Sequence, residues 1–253
     1  MATRTAQDQA TRLAEMLREA RSAVVLTGAG VSVPSGIPDF RSPGTGLWEN
    51  VNPMEVAHIS VFRRDPATFW SFYGQRFATL ADKQPNGAHH ALADLERRGL
   101  LRAVVTQNID GLHTAGGVTD LLEVHGSIRT ASCLVDGETF ELADVRERLA
   151  AAEDGVPRCS AGHPLKPDVI LFGEMLPERE ISRAFSLAGE AALLLCVGTS
   201  LEVHPVAGLA DITLRAGGEV AIVTAGPTPY DDLATVKLSG DVVEELEAVL
   251  AAL

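Results

Sequence analysis

SAVVLTGAGVSVPSGIPDFR, residues 22–41, decides how the chain is read. The apolar run Ala23-Val24-Val25-Leu26 stops at Thr27-Gly28-Ala29-Gly30, the pattern of a buried parallel strand whose carboxyl end runs into a glycine turn. Glycine at 28 and 30 permits a tight turn and lets the backbone approach a nucleotide phosphate with no Cβ in the way. The stretch then leaves the dehydrogenase fingerprint, which places a third glycine three residues after the second and opens a helix there. Here Val33-Pro34-Ser35-Gly36-Ile37-Pro38 follows, and its two prolines exclude a long helix. On the glycine pair alone, an ordinary strand-to-helix turn is an equally good reading.

Working outward, residues 5–20 place Leu13, Met16, Leu17 and Ala20 at helical spacing, which predicts an amphipathic helix beside the first strand. Residues 42–61 have no clear period and read as a mobile loop over a pocket. Helical period returns over 65–80, with Asp65 as cap and Pro66 in the first turn. Phe69, Phe72, Tyr73, Arg76 and Phe77 share one face of that helix, and an arginine in an aromatic stripe calls for an explanation. A helix from Asn86 stops near Gly99, and Arg102-Ala103-Val104-Val105 reads as the next strand, ending in Thr106-Gln107-Asn108-Ile109-Asp110. A short strand, Leu121-Leu122-Glu123-Val124, runs into His125-Gly126.

Residues 127–166 break the alternation with turns, a charged helix near 141–152 and two of the three cysteines, so they read as an inserted module together with 42–80. The alternation resumes with Asp168-Val169-Ile170-Leu171-Phe172 and a helix from Glu178. An apolar strand over 191–197 ends in Gly198-Thr199-Ser200. A helix from His204-Pro205 then leads to a strand at 219–223 that ends in Thr224-Ala225-Gly226, and a last strand and helix lie at 236–238 and 241–253.

Strands alternating with helices predict an α/β fold with a parallel sheet, in which ligands bind beyond the carboxyl ends of the strands. Five predicted strand ends carry small or polar tails, at 28–30, 107–110, 125–126, 198–200 and 224–226, and a parallel sheet brings all five to one cleft. Its contents suit a nucleotide with a reactive sugar. Glycines and hydroxyls would face phosphates, Asn108 and Asp110 the ribose hydroxyls, and His125 would supply an imidazole near neutral pKa. Each residue also has a plainer reading: His125 as a turn residue, Asn108 and Asp110 as helix caps.

The chain has 253 residues and a formal charge of −13, which argues against non-specific nucleic-acid binding. No apolar run approaches the ~18 residues of a membrane span, the amino terminus has no apolar signal core, and the three cysteines make no disulfide framework. The expectation is a cytoplasmic protein that binds neither nucleic acid nor membrane. No exposed apolar helix face stands out, so the oligomeric state is left open with a monomer as the expectation.

GAGVS (28–32), GIPDFR (36–41), TQNIDGLH (106–113), VHG (124–126), KPDVILFGE (166–174) and GTSLEVHP (198–205) occur in this order and span most of the chain. In these motifs the chain resembles the sirtuins, NAD-dependent protein-lysine deacylases. The resemblance implies a Rossmann-type domain with helices on both faces of its sheet, from 1–41, 81–126 and 167–253, and a small inserted domain from 42–80 and 127–166. It implies transfer of an acyl group from lysine to ADP-ribose with release of nicotinamide. His125 would then be the base, with Asn108 and Asp110 orienting ribose and nicotinamide and Gln107 contacting the ribose. Gly28, Ala29, Gly30, Phe40 and Arg41 would surround the pyrophosphate and nicotinamide ribose. Gly198, Thr199 and Ser200 would hold the adenosine side, Val242 would touch adenine through its main chain, and Thr224 would replace the family's usual asparagine. Val169, Phe172, Gly173 and Glu174 belong to the segment that would pair with the substrate backbone as an added strand.

Tyr73 and Arg76 resemble the Tyr-x-x-Arg pair of the sirtuins that remove succinyl and malonyl groups. A guanidinium facing an apolar pocket is costly unless an anion pairs with it, and a bidentate arginine–carboxylate contact is strong and selective. The structural alternative is an ion pair with Asp65 or Asp82. The family's zinc module, two Cys-x-x-Cys pairs, is degenerate here, for only Cys133 and Cys159 remain. Asp136 and His163 are the candidates for a mixed site, but a metal-free module held by packing is the expectation. Cys196, within an apolar strand, reads as a core residue, and His204 as structural. The alternative functions are mono-ADP-ribosyl transfer and non-catalytic NAD sensing.

Overall fold

The computed structural model describes residues 6–20, 22–39, 46 and 51–253. Its larger sheet has six strands, β1 (Ala23–Thr27), β2 (Leu101–Thr106), β3 (Leu121–Glu123), β7 (Leu193–Val197), β8 (Glu219–Val223) and β9 (Val236–Leu238), in the order β3-β2-β1-β7-β8-β9. All their pairings are parallel. Every residue of β1 and β7 is buried, because helices cover both faces. Leu13, Leu17, Leu92, Leu95 and Leu246, from helices Ala6–Glu19, Gly87–Arg97 and Val242–Ala252, pack on one face. Ala184, Leu187 and Leu209, from helices Glu178–Glu190 and Leu209–Arg215, pack on the other.

From β1 the chain builds outward through β2 and β3 on one side, then returns to build β7, β8 and β9 on the other. The order therefore reverses between β1 and β7, and the crevice beyond their carboxyl ends is the expected ligand site. Thr27, the last residue of β1, is level with Thr106 of β2 and Val197 of β7, so the loops that follow leave the sheet side by side.

A second sheet has three antiparallel strands in the order β5-β4-β6: β4 (Gly126–Cys133), β5 (Thr139–Glu141) and β6 (Leu165–Val169). The strand expected at 168–172 is thus β6, three residues earlier, and it joins the small sheet rather than the parallel one. Lys166 and Pro167 obscured its start, since a charge and a residue without an N–H are poor strand signals. Around this sheet Phe62, Phe69, Trp70, Val145 and Leu165 form a separate apolar core. Trp70, also missed, is fully buried and donates its indole N–H to Leu165 O at 2.9 Å.

Helix Pro66–Ala81 forms as predicted, with Asp65 accepting from Thr68 N at 3.1 Å. The mobile loop expected over 42–61 is corrected in its described part, for it holds helix Pro53–Val56 and the start of helix Ile59–Arg64. Each is started by a cap, Asn52 accepting from Met54 N and His58 Nδ1 from Ser60 N, and each is too short to show a period. No described helix is long and apolar enough to cross a membrane.

Candidate active site

The end of β1 is stitched to the end of β7. Gly28 N donates to Val197 O at 3.1 Å, and Gly30 N donates to Gly198 O at 2.8 Å. A Cβ on Gly28 would stand 2.9 Å from Gly198 O, and one on Gly30 would stand 2.8 Å from Gly198 Cα. Both glycines are therefore required by this loop-to-loop contact whatever the cleft binds. The chain then turns through a 3-10 helix, Ala29–Ser35, that ends at Gly36 with φ 77°. The two prolines did foretell that no long helix follows.

The cleft, about 300 Å³, is lined from all five strand ends. Gly28, Ala29 and Gly30 enter from β1, Gln107 and Asn108 from β2, and His125 from β3, while Gly198, Thr199 and Ser200 follow β7 and Thr224 follows β8. Tyr73 and Phe172 reach it from outside the parallel sheet. Phe40 and Arg41 lie outside the described residues.

Gln107 Nε2 donates to Thr199 Oγ1 at 3.0 Å, linking β2 to β7 across β1. Asn108 Nδ2 donates to Gly28 O and to Ser32 Oγ, each at 3.1 Å. Both amide hydrogens are committed to protein acceptors, so Oδ1 is the atom through which Asn108 can meet a ligand donor. Asp110 does not line the cleft. It accepts from Ser32 Oγ at 2.7 Å and from Leu112 N at 2.9 Å, and so braces Asn108 through Ser32. Burial pushes its carboxyl above the usual range, opposed by these two hydrogen bonds.

His125 Nδ1 lies 3.0 Å from Gln107 O. A carbonyl only accepts, so Nδ1 carries the proton of the neutral ring and Nε2 keeps its lone pair. Burial lowers the pKa of His125, partly offset by the Gln107 bond, and the ring is neutral at pH 7. These are the requirements of a general base.

Phe172 pairs on one side with the segment before helix Ile59–Arg64: its N–H donates to Ala57 O and its carbonyl accepts from Ile59 N, both at 3.0 Å. Val169 is buried in the small-domain core, away from the cleft lining. At Gly173, φ is 84° and a Cβ would stand 2.6 Å from His58 Nε2. Glu174 turns inward, accepting from Leu171 N at 2.9 Å and pairing with Lys166 Nζ at 3.0 Å. Buried Lys166 also donates to Pro167 O at 3.1 Å and Val169 O at 2.8 Å, so its three hydrogens are all used. The two ends of the 166–174 motif thus hold one another, a role the sequence did not suggest.

Tyr73 is buried, stacked on Phe69 with ring centroids 4.5 Å apart and edge-on to Phe72 at 5.5 Å. Arg76 follows one turn later in the same helix; its side chain lies outside the described residues. Val242, the first residue of the last helix, is buried in the core and does not line the cleft. Ile109 and Gly226 line it as members of the strand-end tails expected there, whereas Asp39, Ala57, Val203 and Pro227 also line it and were given no role from the sequence. Ala57 and Val203 carry no chemical signal. Asp39 sits within GIPDFR, where its motif could have flagged it.

Cys133 Sγ, Asp136 and Cys159 Sγ bring their ligand atoms within 4.8 Å of one another, a possible metal-holding group among the described residues. The set is one ligand short of a closed tetrahedral zinc site, and His163 is not part of it. Cys159 Sγ instead donates to Asp136 Oδ2 at 3.0 Å. That bond is the main cause that holds the Asp136 carboxyl down to about 2.

A glycine-lined crevice at the switch point of a parallel sheet, with a neutral histidine in its lining, defines a nucleotide-dependent enzyme site. The Sir2 family model matches residues 28–205. The chain is 43% identical over 227 residues to an NAD-dependent protein deacetylase of Sulfolobus acidocaldarius, covering 90% of this chain and 88% of the relative. It is 41% identical over 249 residues to NAD-dependent protein deacylase 2 of Archaeoglobus fulgidus, covering 96% of each. A Sir2 protein solved with a p53 peptide and NAD+ superposes with a TM-score of 0.87 at 38% identity, over 95% of this chain and 96% of that one. A further Sir2 enzyme gives 0.89 at 41% identity, over 97% and 98%. The chain belongs to the Sir2 family, the sirtuins.

Proposed function

We propose that the cleft removes acyl groups from protein lysine side chains at the expense of NAD, with a preference for acyl groups that end in a carboxylate. The observation that carries the first part is His125, neutral, with Nε2 left as its basic atom where five strand ends meet. When bound, NAD supplies an activated ribose carbon and a ribose hydroxyl to receive the acyl group. The small residues of the β1 and β7 loops suit its pyrophosphate and adenosine, since they leave backbone close to the cleft. Asn108 Oδ1 accepts from a hydroxyl or carboxamide donor, and Asp110 keeps that amide in place through Ser32. His125 Nε2 takes the proton of the ribose hydroxyl, and Gln107 holds the ring so that the opposite nitrogen is never the base.

The acyl-lysine enters beside Phe172, whose chain is already paired on one side with residues 57–59. A peptide backbone laid along 169–172 would extend that arrangement by strand addition. The acidic preference rests on Tyr73 in the cleft lining and Arg76 one turn beyond it. The test is kcat/KM with NAD and one peptide carrying acetyl-lysine or succinyl-lysine in turn. A succinyl preference of tenfold or more supports both parts. Activity on acetyl alone discards the acidic preference, and nicotinamide release that needs no acyl-lysine discards deacylation.

A further inference from the structure

At its β8 end the cleft is lined by Thr224, Gly226 and Pro227, and these three are secured very unevenly. Thr224 N donates to Leu238 O at 3.0 Å and continues the pairing with β9. Beyond it Ala225, Gly226 and Pro227 are exposed, and a Cβ on Gly226 would meet no heavy atom within 4 Å. Packing therefore does not fix this glycine, whose backbone has the widest freedom of any residue.

Lys237, the middle residue of β9, is outside the lining but holds that tip. Its Nζ donates to Gly226 O at 3.1 Å and pairs with the Asp231 carboxylate. The peptide that joins Gly226 to Pro227 has no N–H, so this carbonyl is its one polar group, and Lys237 occupies it. Asp231 is itself anchored: Thr228 Oγ1 donates to Asp231 Oδ1 at 2.7 Å, and Asp231 N donates to Thr228 O at 3.3 Å. Beside it buried Tyr230 donates its hydroxyl to Asp211 Oδ2 at 2.9 Å, which ties the turn to helix Leu209–Arg215. The side chains of Lys237 and Asp231 are 22% and 29% exposed, and partial removal from water strengthens a charge-assisted bond.

Sheet order says which half of the ligand this tip meets. β3, β2, β1, β7 and β8 stand side by side, so about 19 Å separates the first from the last at about 4.8 Å per strand. With the reactive ribose at His125, after β3, a dinucleotide laid across the strand ends carries its second nucleoside to the tail of β8. We infer that Lys237 is a positioning residue for the adenosine half of NAD, setting through Gly226 O the Gly226–Pro227 surface on which that nucleoside rests. The inference rests on the NAD reading for its ligand, and on the hydrogen bonds alone for its strut.

Calorimetry on the intact protein tests it without turnover. Lys237→Met should weaken NAD roughly tenfold, the cost of losing a charged donor. ADP-ribose, which keeps the adenosine and lacks nicotinamide, should weaken by the same factor. Lys237→Arg restores a charged donor and should recover most of the loss. In steady-state kinetics KM for NAD should rise in Lys237→Met, while kcat and KM for acyl-peptide stay within about twofold. Parent-like NAD affinity in Lys237→Met, a fall in kcat with KM for NAD unchanged, or an equal loss in Lys237→Arg overturns the positioning role and leaves the deacylase reading intact. A parent protein that binds neither NAD nor ADP-ribose overturns both. Should Lys237→Met fail to fold, Asp231→Asn decides it: the ammonium loses its anion, its hold on Gly226 O slackens, and KM for NAD should rise roughly threefold. An unchanged KM for NAD in that variant overturns the role.

Discussion

The ring of His125 and the carbonyl of Gln107, 3.0 Å apart, fix which nitrogen of the imidazole can act as base. His125→Ala should lower kcat by about 10²–10⁴-fold, the range for loss of a general base. NAD-dependent thermal stabilisation should largely persist, since the β1 and β7 loops are untouched. Deacylation at the parent rate in this variant would remove His125 from the chemistry. Burial lowers the His125 pKa below its ordinary 6.5. Only the neutral ring accepts a proton, so kcat/KM should fall on the acid side with a midpoint below 6.5, and a midpoint above it would contradict the environment described.

Arg76→Met should cost desuccinylation roughly 10²-fold and leave deacetylation within about twofold, because only the acidic acyl group loses a charged partner. Tyr73→Phe should act in the same direction but more weakly, a hydroxyl donor contributing less than a guanidinium. Steady-state kinetics with the two peptides separates the outcomes. Equal losses for both acyl groups would return Arg76 to a structural role.

Much of this architecture was legible because parallel strands announce themselves. Runs such as Leu193–Val197 are apolar on both faces, and each ends in a polar or glycine tail at the same edge of the sheet. That regularity alone places Gly28, Asn108, His125 and Thr199 around one cleft. Legibility failed where an element is short or half polar. Strand Leu165–Val169 begins behind Lys166 and Pro167, and a helix of four residues and the start of one of six lie in a segment read as loop. Partner choice was less visible still. Glu174 reads as part of a substrate motif, yet only the folded chain shows its carboxylate spent on Lys166 and Leu171. His113 reads as the end of a motif, and nothing in its spacing announces His89.

Removing one partner of the Lys166–Glu174 pair should do more harm than removing its charge by shape-matched means. Glu174→Ala leaves a buried ammonium short of an anion and should destabilise the protein by about 3 kcal/mol or more, read from denaturant unfolding. Lys166→Met, apolar and similar in length, should cost less. Both should raise KM for acyl-peptide and leave KM for NAD near the parent value, since the pair shapes residues 166–174 and not the nucleotide loops. A rise in KM for NAD alone would place the pair elsewhere in the mechanism.

The cysteine cluster predicts an unusual independence from metal for this family module. With three candidate ligands and Cys159 donating to Asp136, purified protein should hold well under one equivalent of zinc by elemental analysis. A strong chelator should leave Tm unchanged within about 1 °C, since removing a structural zinc costs far more than such a shift reports. Stoichiometric zinc, or a large fall in Tm on chelation, would show that a fourth ligand is recruited.

Acid sensitivity should come from the buried histidine pair rather than from the surface. Burial lowers the pKa of His89 to about 4 and of His113 to about 3, from an ordinary value of 6.5. Between those values and 6.5 the unfolded chain binds protons at both positions while the folded chain does not, so stability falls as pH drops through this window and is independent of these groups above it. The loss amounts to several kcal/mol for the pair, at about 1.4 kcal/mol for each unit of separation. Urea unfolding between pH 7 and pH 4.5 should show this decline, and His89→Gln should flatten it even though the variant is less stable at pH 7. An equally steep decline in that variant would assign the acid limb to other groups.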